Sequence, residues 1–167
     1  MEEMKRKTAY MGLFLALALI CSYIETLIPI PIGIPGVKLG LTNIVVVLML
    51  YSVGTKEAFG ISMLRILLSG FLFGNAFSIL YSLAGGILSF VVMLLLKKTN
   101  RLGCVSVSTA GGIFHNVGQL GMAVLIVGNT AVLYYFPILL AAGALTGFLI
   151  GILAQEIILR IGGRMKF

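Results

Sequence analysis

Residues 76–101 read AFSILYSLAGGILSFVVMLLLKKTNR: an uncharged apolar run over 76–96, then Lys97, Lys98 and Arg101 in quick succession. A helix crossing a bilayer needs about 20 predominantly apolar residues. Basic residues gathered at one end of such a run hold that end on the cytoplasmic side. The stretch therefore predicts a transmembrane helix that closes at the cytoplasmic face. The rest of the chain repeats the pattern.

Upstream, Thr8–Ile28 is a first span, preceded by Lys5, Arg6 and Lys7. It shows no cleavage-site pattern and leads into further spans, so it reads as a helix that is retained. Pro29, Pro31 and Pro35 then break the chain, since each removes a backbone donor and restricts the residue before it. Leu39–Val53 is a short second span and Ala58–Phe73 a third. Downstream of 76–96, Cys104–Val127 is a fifth and Val132–Leu159 a sixth, followed by Arg160, Arg164 and Lys166. With the N-terminus inside and the spans alternating, ten Lys and Arg residues fall on the cytoplasmic side. Lys38 alone falls outside, and Arg65 lies within a span. Five or seven spans would move a whole basic cluster across. The fold class predicted is an all-α polytopic membrane protein: one domain over residues 1–167, six transmembrane helices, both termini cytoplasmic, in the inner (cytoplasmic) membrane.

Composition agrees. Hydrophobic residues make up 60% of the 167, and charged residues only 10%, against roughly a quarter in soluble domains. The net charge of +7 is distributed as membrane anchors rather than as a nucleic-acid surface. Cys21 and Cys104 fall near opposite faces of the membrane, too far apart for a disulfide, and are expected as free, buried thiols. The chain has no Asp, no phosphate-binding loop, no GxSxG and no CxxC, which argues against an ATPase, a hydrolase or a dithiol enzyme. No cofactor is readable, and a single histidine makes a metal site a poor reading.

The informative residues are the polar ones inside apolar runs. Arg65 at mid-helix costs about 2.5–3.5 kcal/mol on the mildest insertion scale. It must face the interior, either braced by Glu25 or Glu57 or poised for a ligand. Glu25, in the last turn of the first span, is open to pairing with Arg65 or Lys38, or to a place among the lipid headgroups. His115, Asn116 and Gln119 share one turn of the fifth span, His115 and Gln119 on one face. They are either polar glue between helices or a pocket wall. Asn43, Asn75 and Tyr81 lie near the outer ends of their spans. Together with Lys38 under the proline-rich segment, these residues suit a pocket open to the outside. A deep basic residue there hints at an anionic or carbonyl-rich small molecule. Gly143, Gly147 and Gly151 form a close-approach stripe, and Gly12 with Ala16 a shorter one. Each is readable as packing within the bundle or as a seat for another membrane subunit.

Three stretches carry a resemblance: Ile34-Pro35-Gly36-Val37-Lys38-Leu39-Gly40-Leu41-Thr42-Asn43, Leu80-Tyr81-Ser82-Leu83-Ala84-Gly85-Gly86, and Gly111-Gly112-Ile113-Phe114-His115-Asn116-Val117-Gly118-Gln119. They resemble the membrane family known as heptaprenyl diphosphate synthase component I, or Gx transporter. That family is similar to the substrate-binding S-components of energy-coupling factor (ECF) transporters. The resemblance implies an S-component-like bundle that captures a vitamin- or cofactor-like ligand from outside and works with a scaffold subunit and ATPases. S-components often meet the scaffold through an Ala-xxx-Ala pair on the first helix, where this chain has Gly12 and Ala16. The family also tends to accompany flavin- and quinone-linked redox proteins, which implies an alternative as an accessory subunit in extracellular electron transfer. A third reading is a component of prenyl diphosphate synthesis, but such enzymes bind diphosphate through magnesium on Asp-rich motifs.

Overall fold

A computed structural model describes residues 2–28 and 40–161. Among them are six α-helices and no strand: α1 (Glu2–Leu27), α2 (Asn43–Ser52), α3 (Thr55–Phe73), α4 (Ala76–Lys98), α5 (Cys104–Val127) and α6 (Phe136–Ile161). A short 3-10 segment, Thr130–Tyr135, joins the last two. The proline-rich segment and Lys38 lie outside the described residues.

The helix boundaries have local causes. Asn75 caps α4, its side chain accepting the Ser78 N–H at 2.9 Å, which satisfies one of the donors a helix start leaves open. Its role is that of a cap. Gly128 ends α5 in the left-handed conformation, φ +66°, where glycine carries no Cβ penalty. Pro137 sits in the first turn of α6, where its missing N–H leaves no bond unmade.

Four helices are long and apolar enough to cross a membrane: α1 over Lys5–Leu27, α4, α5, and α6 with its 3-10 lead. α3 has 19 residues but carries Lys56, Glu57 and Arg65. α2 has only 10 residues, about 15 Å of helix, where the sequence suggested a span over 39–53. None of its residues is exposed, and Val45 to Leu50 are all buried. A helix apolar and covered on every face belongs to the interior. α2 is that interior element, packed against α1, α3, α5 and α6.

Side-chain pairs fix the directions. Lys7 meets Glu57 at 2.5 Å near the starts of α1 and α3. The Tyr23 and Phe73 rings lie 5.1 Å apart near their ends, so α1 and α3 run parallel. From α3 onward, successive helices are antiparallel. Gly86 faces Ile66, Gly111 faces Met93, and Gly151 faces Val105. At the far end of α2, Lys97 donates to the Leu50 carbonyl and lies 4.8 Å from the centre of the Tyr51 ring. A cation at a helix C-terminus is favourable. These contacts gather the described basic residues other than Arg65 at one end of the bundle. The Lys7 ammonium, hydrogen-bonded to Glu57, holds that carboxyl below its usual range. Cys21 and Cys104 are free, as expected, but half-buried rather than buried.

The glycine stripe of α6 is consumed within the chain. A Cβ on Gly112 would fall 2.2 Å from the Gly143 carbonyl oxygen, and one on Gly147 would fall 2.6 Å from that of Ser108. Ser108 Oγ donates to the Gly147 carbonyl at 2.8 Å. α5 and α6 thus meet backbone to backbone. Gly12, by contrast, has open space where its Cβ would be. Gly112→Ala and Gly147→Ala should each lower stability by about 1–3 kcal/mol, the usual cost of overpacking. Gly12→Ala should stay within about 0.5 kcal/mol of wild type. Thermal unfolding in detergent checks this, and equal effects at all three positions would contradict the packing.

Candidate functional site

The outside of the bundle is apolar: Leu13, Phe71, Leu125 and Leu145 are each at least 60% exposed. Its inside holds the polar groups, an arrangement that requires each of them to find a partner or be held for one.

Glu25 is buried in the last turn of α1. Its Oε1 accepts the backbone N–H of Gly40 and, at 3.1 Å, that of Leu41. Gly40 has φ +83°, a conformation that favours glycine, and its carbonyl accepts the Asn43 N–H at 2.8 Å. Glu25 therefore fastens the turn that leads into α2. One turn earlier, the hydroxyls of Ser22 and Thr42 are 3.1 Å apart and make a second tie between the same elements. Among the described residues Glu25 has no ion-pair partner within 4.0 Å, and Lys38, the other expected partner, lies outside them. Lys7–Glu57 and Arg160–Glu156 are ion pairs within 4.0 Å, and neither involves Glu25.

Arg65 is 5% exposed, with Ser62 and Ser69 buried on its face of α3. It lies in the electrostatic field of Glu25 and Cys21 on α1, yet its Nε and Nη2 make no hydrogen bond among the described residues. Of the two readings of Arg65, the ion-paired brace to Glu25 or Glu57 is absent among the described residues.

On α5 the three expected residues divide. Asn116 turns to α6, its Nδ2 donating to the Leu139 carbonyl at 2.8 Å, which makes it the interhelical tie. His115 and Gln119 turn to α4. A Cβ on Gly85 would fall 2.6 Å from the His115 carbonyl oxygen and 2.8 Å from Gln119 Cγ. His115 also borders Gly40, whose Cβ position is 3.7 Å from His115 Cδ2 and 3.1 Å from Asn43 Nδ2. Gln119 is fully buried, and neither its Oε1 nor its Nε2 has a partner among the described residues. Tyr81 is buried one turn before Gly85 on the same face of α4. The structure thus links Glu25, Asn43 and His115 through Gly40, adds Gln119 through Gly85, and brings Arg65 to the Glu25 side. Asn116 gives its Nδ2 to α6, while its Oδ1 is buried without a partner among the described residues.

Sequence reasoning passed over the hydroxyls. Ser22, Thr42, Ser62, Ser69, Ser78, Ser82 and Ser89 are all buried. The signal was spacing: Ser62, Arg65 and Ser69, and again Ser78, Ser82 and Ser89, recur at intervals of a turn or two on one helical face. An open cleft lined by Asn129, Thr130, Ala131, Leu133 and Tyr134 belongs to one short segment and offers no charge.

These features define an all-helical fold with four helices long and apolar enough to cross a membrane, and a polar interior in which Arg65 is the buried cation among the described residues. The chain belongs to the heptaprenyl diphosphate synthase component I family, whose model matches residues 14–157. No curated protein and no solved structure matches it. The residues do not fit a magnesium–diphosphate centre of the kind that description suggests. Glu25 is committed to backbone amides and Glu57 to Lys7. The two lie at opposite ends of α1 and α3, about 27 Å apart along the helix axis by helical rise. Among the described residues no three His, Cys, Asp or Glu gather as metal ligands.

If Glu25 acts chiefly as an acceptor, Glu25→Gln, which keeps an oxygen, should cost less than Glu25→Ala. The alanine leaves two buried N–H groups unmatched, at about 1–3 kcal/mol each. Thermal unfolding of both variants checks the order. Equal losses would show that the charge of Glu25, not its oxygen, is what the fold requires.

Proposed function

We propose that this protein captures a small molecule in its polar interior and delivers it for uptake across the cytoplasmic membrane, in the manner of an S-component. The observation that carries the reading is Gln119: an amide with no exposure and with neither polar atom matched among the described residues. A buried amide left in that state costs about 1–3 kcal/mol for each group, and a bound ligand removes the cost.

In this reading the chain crosses the membrane six times, with both termini in the cytoplasm. The short α2 counts as an interior span screened from lipid by its neighbours. The parallel run of α1 and α3 and the basic residues collected at one end support that topology. Asn43, His115, Gln119, Tyr81 and Arg65 contact the ligand, and Lys38 joins them from the outer segment. Glu25 holds the α2 lead-in in place. Gly12 and Ala16, on the open side of α1, are where an ECF scaffold subunit with its ATPases would dock.

Two measurements test this. Native mass spectrometry of the purified protein should find a retained small molecule. Gln119→Ala should reduce its occupancy by about 0.5–1.5 kcal/mol for each lost hydrogen bond, with the fold intact. A wild-type protein that retains nothing, even when purified from cells in rich medium, would sink the binding reading. For topology, single cysteines at Asn100 and Thr130, in a background lacking Cys21 and Cys104, should divide under an impermeant thiol reagent on intact cells. Position 130 should label and position 100 should not; the reverse result would invert the orientation.

A further inference from the structure

The two unmatched nitrogens of Arg65 are not an arbitrary pair. Nε–H and the near N–H of Nη2 lie on the same edge of the planar guanidinium, parallel and spaced to meet two oxygens of one oxyanion. Both atoms of that edge are buried, and neither has a hydrogen-bond partner among the described residues. No carboxylate of those residues comes within 4.0 Å of it, because the nearby Glu25 spends Oε1 on Gly40 and Leu41. Charge then selects among oxyanions. Among the described residues the edge belongs to the one buried Lys or Arg, and Glu25 on α1 already offsets part of its charge. Each further negative charge brought there adds to that of Glu25 in a low-dielectric interior, so a dianion is penalised more than a monoanion. A planar monoanion matches the fork and brings the least added charge. On α5, Gln119 presents an amide Nε2 and Oε1, both unmatched among the described residues, the pattern that reads an amide-like group.

We propose that Arg65 receives a ligand carboxylate bidentately on its Nε/Nη2 edge, so that the captured molecule is a small monocarboxylate carrying an amide-like donor and acceptor. The assignment rests on the binding reading above and narrows it to one substrate class.

The test uses the smallest carboxylate as a probe. The purified full chain is titrated with sodium acetate, and in parallel with sodium phosphate, each against sodium chloride at equal ionic strength. Acetate should raise the melting temperature saturably, by about 3 °C near ten times its Kd, while phosphate should not. Arg65→Lys keeps the charge but loses the fork, and should abolish the acetate response. If Arg65→Lys does not fold, the wild-type contrast between acetate and phosphate still decides. An equal or larger response to phosphate would overturn the carboxylate assignment, as would an acetate response that survives in Arg65→Lys. A protein that retains a molecule on purification yet ignores acetate keeps the binding reading and overturns this one. A protein that neither retains a molecule nor responds overturns both.

Discussion

The backbone N–H groups of Gly40 and Leu41 end inside the bundle, at the start of a helix too short to reach a membrane surface on both sides. Water cannot satisfy them there, and unsatisfied backbone donors in an apolar interior cost several kcal/mol. The Glu25 carboxylate of α1 satisfies both. From that contact follow the left-handed turn at Gly40, the hydroxyl tie between Ser22 and Thr42, and the position of Asn43 beside His115. α2 is held at its other end by Lys97 on the Leu50 carbonyl. An interior helix fastened at both ends by charged side chains is a fixed post, and the five longer helices assemble around it.

Much of this was legible in the sequence. The runs 76–96 and 104–127 are helices within a few residues of where their hydropathy placed them. Arg65, Asn43, His115, Gln119 and Tyr81 are all buried, as polar residues in apolar runs must be. Three things were not legible, each for a physical reason. Hydropathy is blind to whether an apolar helix faces lipid or protein, so the covering of α2 on every side was not readable. For Glu25 the sequence left a cation or the lipid headgroups open and did not suggest the amides of Gly40 and Leu41, because backbone amides carry no signature in a one-letter code. One helical turn at 115–119 looked like one cluster, yet neighbouring residues point about 100° apart. Asn116 therefore faces α6 while His115 and Gln119 face α4.

The helix contacts differ in kind, and the difference bears on the site. α4 meets α5, and α5 meets α6, through glycines set against backbone: Gly118 on the Ala84 carbonyl, Gly143 on that of Gly112. Backbone-on-backbone packing has no side-chain freedom to yield, so these three helices form one stiff slab. Across the α3–α4 contact, Gly86 faces instead the terminal Cδ1 of Ile66 and, farther off, the end of Met63. Those are the flexible tips of two side chains, which can change rotamer at small cost. The polar groups divide along the same line, with His115, Gln119 and Tyr81 on the slab and Arg65 and Glu25 on the α1–α3 side. A ligand contacting both Arg65 and Gln119 would bridge that seam, and its two ends would be read from opposite sides of it.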